Sequence, residues 1–259
     1  SRGLGDVYKR QLHIHTTAEV FFVLKGRWRF FWGRWGTAGE VVLEEGDIIN
    51  IPTGIFRGFE NIGSNYGMIM AILGGDDAGG GVTWAPQVIQ DAAEHGLILG
   101  ENGRLYDSKK GETLPENLKP MPLLSKDFLA QVPEPKAKNL VPRYVARYND
   151  LMAFAAHEPI QVIGEKGILP DKPGFNIDFL TRSPILEVPE SFENSAVLMP
   201  MRGHWKLSWE GGNVVLNPGD TCLLEPGFSH RIEPSVTGEA SLYRILSNED
   251  PAGPTWVDD

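Results

Sequence analysis

Two stretches of this chain are written to one plan. LEEGDIINIPTGIFRG at 43–58 is echoed by LNPGDTCLLEPGFSHR at 216–231. Each has a Gly-Asp turn, an apolar strand, a turn of Pro and Gly, and then a further apolar residue. A repeat of this length predicts two copies of one supersecondary unit. Around the first copy, short apolar runs alternate with punctuation: Val20 to Leu24, Trp28 to Trp32, Val41 to Leu43, Ile48 to Ile51, Phe56 to Phe59 and Met68 to Leu73. Around the second they recur from Ile160 at 175–180, 185–188, 196–201, 205–209, 213–216, 221–224, 230–233 and 240–246. Glycine and proline between the runs supply the turn conformations, so the pattern predicts an all-β chain of antiparallel sandwiches or barrels.

The segment between the two halves reads differently. GGDDAGGG at 74–81 has the composition of a flexible loop, and 85–95 can form a short helix that Gly96 would end. From about 100 to 158 the chain is rich in Pro, Lys and Glu with weak periodicity, which predicts a connection carrying one or two short helices. The expected organisation is an N-terminal barrel over 1–82, a partly helical linker over 83–158 and a C-terminal barrel over 159–259.

Charge narrows the partners. A net charge of −10 disfavours nucleic acid and anionic membrane surfaces, both of which are met by basic faces. The longest apolar runs, such as Met68 to Leu73, fall far short of the roughly 20 residues of a membrane helix. Cys222 is the single cysteine, which excludes an intrachain disulfide or a thiolate cluster and suits a reducing cytoplasm. The chain opens Ser-Arg-Gly-Leu-Gly-Asp without a methionine, and its first ten residues are polar and patternless, so a truncated or fused N-terminus is expected.

His13-Ile14-His15 places two imidazoles on one face of a strand, and Glu19, an even number of residues further on, can share that face. Two histidines and a carboxylate could hold one side of an octahedral metal and leave positions open. Against this, a histidine pair near a chain end is often only a surface feature.

The residues beyond the pair are more specific. HIHTTAEVFFVLKG at 13–26 fits the first motif of the cupin superfamily, an H-x-H followed by Glu and then Gly, and GDIINIPTGIFRGFEN at 46–61 fits its second motif except that Arg57 stands where the family has histidine. The chain thus resembles a tandem-barrel cupin, and the resemblance implies two jelly-roll type barrels. It also implies that His13, His15 and Glu19 are ligands to a divalent metal, with Fe(II) favoured and Mn, Ni or Zn as alternatives. Arg57 has no lone pair to offer. Either the site uses three ligands or metal has been lost.

Arg57 admits a functional role, with its planar fork holding a substrate carboxylate beside the metal. It could equally be a surface residue, or pair with a carboxylate such as Glu60. Along Arg27 to Trp32, alternation puts Trp28, Phe30 and Trp32 on one face, where they could wall an apolar substrate pocket or simply fill the barrel core. The second half keeps only the skeleton of the motifs. Aligned on Gly203, its ligand positions fall at Glu190, Phe192 and Ala196, and His230 alone survives, so a structural or dimerising role is expected for it.

Few strands precede the H-x-H segment, which predicts an open barrel edge covered by another part of the chain or by a second subunit. The leading functional expectation is a metal-dependent oxidoreductase of the dioxygenase type, homo-oligomeric, acting on a small aromatic or carboxylated substrate. Arg57 would be its catalytic and substrate-orienting residue, with Trp28 and Phe30 at the substrate. A non-catalytic binding module and a metal-dependent isomerase or decarboxylase are the alternatives.

Overall fold

The computed structural model describes residues 11–74, 82–169, 174–182, 188–234, 237–248, 250 and 252–257. The glycine-rich loop beyond Gly74, the first ten residues and most of the 185–188 run lie outside these residues.

The first half holds β1 (His13–His15), β2 (Glu19–Lys25), β3 (Trp28–Trp32), β4 (Gly39–Leu43), β5 (Ile48–Asn50), β6 (Arg57–Asn61), β7 (Met68–Leu73) and β8 (Val82–Trp84). Then come α1 (Pro86–Glu94), β9 (Leu97–Leu99), β10 (Leu105–Asp107), α2 (Lys126–Gln131), α3 (Ala137–Tyr144), β11 (Val145–Ala146) and α4 (Tyr148–Phe154). The second half holds β12 (Ile160–Ile163), β13 (Phe175–Thr181), β14 (Ala196–Arg202), β15 (Trp205–Trp209), β16 (Gly212–Leu216), β17 (Cys222–Leu224), β18 (Arg231–Pro234) and β19 (Ser241–Ser247).

Each half closes as two facing antiparallel sheets. In the first the order is β4-β3-β6-β1-β8 against β11-β5-β2-β7, and in the second β12-β13-β19-β14-β17 against β16-β15-β18. Period-two alternation accounts for what each strand buries. From β2, Phe21 and Val23 enter the first barrel with Phe30, Trp32 and Ile49. Its alternate residues Val20 and Phe22 face outward, where they meet Phe179, Met199 and Tyr243 of the second barrel. The run Val20 to Val23 is therefore buried on both faces, which is why it is apolar throughout instead of alternating.

The segment expected as a connection is more than that. It carries three α-helices beyond the one that Gly96 ends, not one or two, and β11 hydrogen-bonds to β5 with Val145 opposite Ile49. The expected open edge is covered from within the chain, because β8 pairs with β1 in the register His13 with Trp84 and His15 with Val82. The far end of the chain also returns, with Thr53 N donating to Pro254 O at 2.7 Å. No helix of the described residues is long and apolar enough to cross a membrane.

Candidate metal centre

His13 and His15 lie on β1 and both face the interior of the first barrel, while Ile14 between them packs outward with Leu12, Phe31 and Phe56. The chain then crosses at 16–18 from one sheet to the other, so Glu19 opens β2 on the opposite wall. Strand parity from His15 is thus not what aims Glu19 at the histidines. The corner between the sheets does so, and the carboxylate meets the imidazoles across the barrel.

The three groups are buried and close. Glu19 Oε1 lies 3.4 Å from His15 Nε2, and Glu19 Oε2 lies 3.8 Å from His13 Nε2. One donor atom from each of the three falls within 4.8 Å of the other two. His13 Nδ1 is 2.7 Å from the Gln11 carbonyl, to which it donates, and this leaves the Nε2 lone pair facing Glu19. Burial, with the positive charge of Arg57 beside it, lowers His15 to about 4 against the opposing pull of Glu19, so this imidazole is neutral at physiological pH. Burial alone would raise the Glu19 carboxyl. The His13 imidazole beside it and the charge of Arg57 outweigh it and hold Glu19 below the usual carboxylate range. Neutral imidazole nitrogen and ionised carboxylate are the protonation states that a divalent cation requires.

Arg57 completes the cluster in an unexpected way. Its Cα stands opposite His13 on one side and Trp32 on the other, and its side chain is fully buried. Nη1 donates to Glu19 Oε2 at 3.0 Å and Nη2 to the Pro52 carbonyl at 2.8 Å, while Nε has no partner. Arg57 is therefore not a surface residue, and Glu60 pairs instead with Arg29 at 2.8 Å. Two of the five N–H donors of Arg57 are thus held inside the protein, and its fully buried side chain faces Glu19 and the Pro52 carbonyl.

The aromatic stripe lies on the barrel-facing side of β3. Phe30 is enclosed by Phe21 and Phe59, and half-buried Trp28 meets Phe59 edge-on at the end of the strand remote from Arg57. Trp32, opposite Arg57, donates its Nε1 to Pro135 O at 2.7 Å. The ring that stands against the site is Trp84 on β8, its centroid 5.5 Å from that of His13. Sequence reasoning missed Trp84 because a three-residue strand beyond a glycine-rich loop carries no periodic signal. The Pro52 carbonyl was in reach of it, since Pro52 belongs to the Pro-x-Gly turn that precedes Arg57.

In the second barrel the corresponding place holds no ligand set among the described residues. Buried His230 exchanges backbone hydrogen bonds with Glu190 and lies between the rings of Phe192 and Phe228. Glu190 is bound to Arg244 at 3.0 Å, and Arg244 also holds Asp178 at 2.8 Å. Among the described residues, His13, His15 and Glu19 are the one cluster of three with donors at metal-binding separation.

Comparison with known proteins agrees with this architecture. Residues 7–73 match the family model described as Cupin domain. No curated protein matches the chain. Among solved structures, oxalate decarboxylase from Lactobacillus farciminis, in a formate complex, is similar with TM-score 0.54 at 15% identity over 95% of this chain and 74% of that one. Salicylate 1,2-dioxygenase from Pseudoaminobacter salicylatoxidans, as its A85H mutant, is similar with TM-score 0.51 at 13% identity over 92% and 67%. The R92A mutant of oxalate decarboxylase from Bacillus subtilis gives 0.51 at 14% identity over 95% and 67%. At such identities the likeness is one of fold.

Proposed function

We propose, for a chain of the tandem-barrel cupin fold whose cupin domain spans residues 7–73, that it is a metal-dependent oxidoreductase of the dioxygenase type acting on a small aromatic or carboxylated substrate. The observation that carries this reading is the buried convergence of His13 Nε2, His15 Nε2 and a Glu19 oxygen, with protonation states suited to a cation. Two imidazoles and one carboxylate are the donor set of non-haem Fe(II) oxygenases, and Mn, Ni and Zn suit the same ligands less selectively. When bound, such an ion supplies Lewis acidity and one-electron chemistry toward oxygen. The residues of the chain do the rest. The Gln11 carbonyl fixes the tautomer of His13, Arg57 orients Glu19, and Trp84 walls the site against water. Phe30 and Trp28 pack on Phe59 in the core of the same barrel.

A second reading, a non-catalytic binding module, is favoured by one observation. The Arg57 guanidinium already gives Glu19 a counter-charge at 3.0 Å without any ion. The decarboxylase alternative shares the ligands and needs no oxygen. The half-buried thiol of Cys222, the single cysteine, suits a reducing cytoplasm. The exposed Val215 and Leu223 of the second barrel offer apolar surface for a homo-oligomer.

Oxygen uptake on anaerobically Fe(II)-loaded protein, with salicylate and oxalate as probes, separates the readings. Substrate-dependent uptake that is lost in His13→Ala/His15→Ala supports the dioxygenase. Carbon dioxide release without uptake assigns a decarboxylase, and binding without turnover assigns a binding module.

A further inference from the structure

Arg57 occupies the position from which a fourth ligand would reach the cation, and it has nowhere else to go. Its side chain is fully enclosed, its backbone is locked in register between β1 and β3, and its two Nη groups are tied to Glu19 and to the Pro52 carbonyl. Its charge thus stays in the barrel whatever else enters. A cation bonded to Glu19 Oε2 would lie within about 5 Å of the guanidinium nitrogen Nη1, given a metal–oxygen bond of about 2.1 Å and the 3.0 Å contact between Nη1 and Oε2. At such a separation in a buried site, repulsion between a divalent ion and a fixed positive charge is large. The same hydrogen bond also claims a carboxylate oxygen that the ion would use.

We infer that Arg57 is a resident competitor of the metal, which balances Glu19 when no ion is present and holds the divalent affinity of the first barrel low, so that the site loads reversibly. This rests on the reading of His13, His15 and Glu19 as the cation site. It makes Arg57 a positioning residue that sets metal affinity, in place of a ligand or a group that touches substrate.

The test is titration of metal-stripped, untagged protein with Mn²⁺ by calorimetry, alongside thermal melts with and without the ion. Arg57→Gln removes the charge and should tighten Mn²⁺ binding by about 100-fold. Without ion it should melt below wild type, because Glu19 loses its partner, and Mn²⁺ should raise its melting temperature more than that of wild type. Arg57→Lys keeps the charge and should keep affinity within about threefold of wild type. If Arg57→Gln does not fold, Arg57→Met, uncharged and of similar length, carries the same comparison. Equal Mn²⁺ affinity in wild type and the neutral variants would overturn the inference while leaving the site standing. If folded wild type and folded neutral variants alike took up no Mn²⁺, the cation site itself would fall and the inference with it.

Discussion

At the scale of single residues, the site is defined by which charges are buried together. Three of its members, His13, His15 and Glu19, were legible in the sequence because they follow a spaced pattern. The fourth, Arg57, was legible as a departure from that pattern, but its partner was not. Nothing in the order of residues says that an arginine 38 positions beyond Glu19 will bond to it and not to the nearby Glu60. The environment of His15 makes a pH prediction. Its value in the folded protein is lowered to about 4 from an ordinary 6.5. The unfolded chain therefore takes up a proton near pH 6.5 that the folded protein refuses until about pH 4. The stabilising contribution is complete above 6.5 and is lost as pH falls through that window. Glu19, also lowered, adds a loss on the acid side of its ordinary 4.5. Melting temperatures of metal-free protein should fall between pH 6.5 and 4, and the fall should be shallower in His15→Gln. Parallel curves for the two proteins would remove His15 as the cause.

At the scale of elements, the turn between β4 and β5 is the joint of the molecule. Asp47 accepts from Glu44 N, Arg147 Nη1 and Tyr148 N, and the Gly46 carbonyl accepts from Tyr243 Oη at 2.6 Å. One Gly-Asp turn thus receives the linker and the second barrel together. The sequence marked it as a turn, yet its role as a joint depends on partners about 100 and 200 residues away, which local pattern does not carry. The same holds for β8 and β11, short strands whose identity comes from the edges of β1 and β5 that they cover. Gly46 has a positive φ of 90°, and a Cβ there would lie 2.2 Å from Tyr148 Cδ2. Gly46→Ala must both adopt a left-handed conformation and displace a buried ring, so denaturant unfolding should show a loss of about 2–4 kcal/mol. A loss below about 0.5 kcal/mol, within the range of an ordinary surface substitution, would mean that the joint yields freely.

At the scale of the whole molecule, the two barrels stand back to back across one shared core, and among the described residues only the first carries a ligand cluster. Its inner sheet, which holds Glu19, is braced from behind by Phe179, Met199 and Tyr243 of the second. Support of this kind is what the second barrel gives to the site, and its own ligand positions hold Glu190, Phe192 and Ala196. The duplicated plan was readable from the repeated phrase, whereas the face on which the copies meet was not, since both faces of β2 are apolar. The central claim is that the first barrel is a cation site. It is tested most directly by equilibrium dialysis of untagged, metal-stripped protein against saturating Fe(II) without oxygen, with bound metal counted per chain by plasma mass spectrometry. One equivalent in wild type and none in a folded His13→Ala/His15→Ala variant is the predicted result. No uptake by wild type, or equal uptake by both, would contradict it.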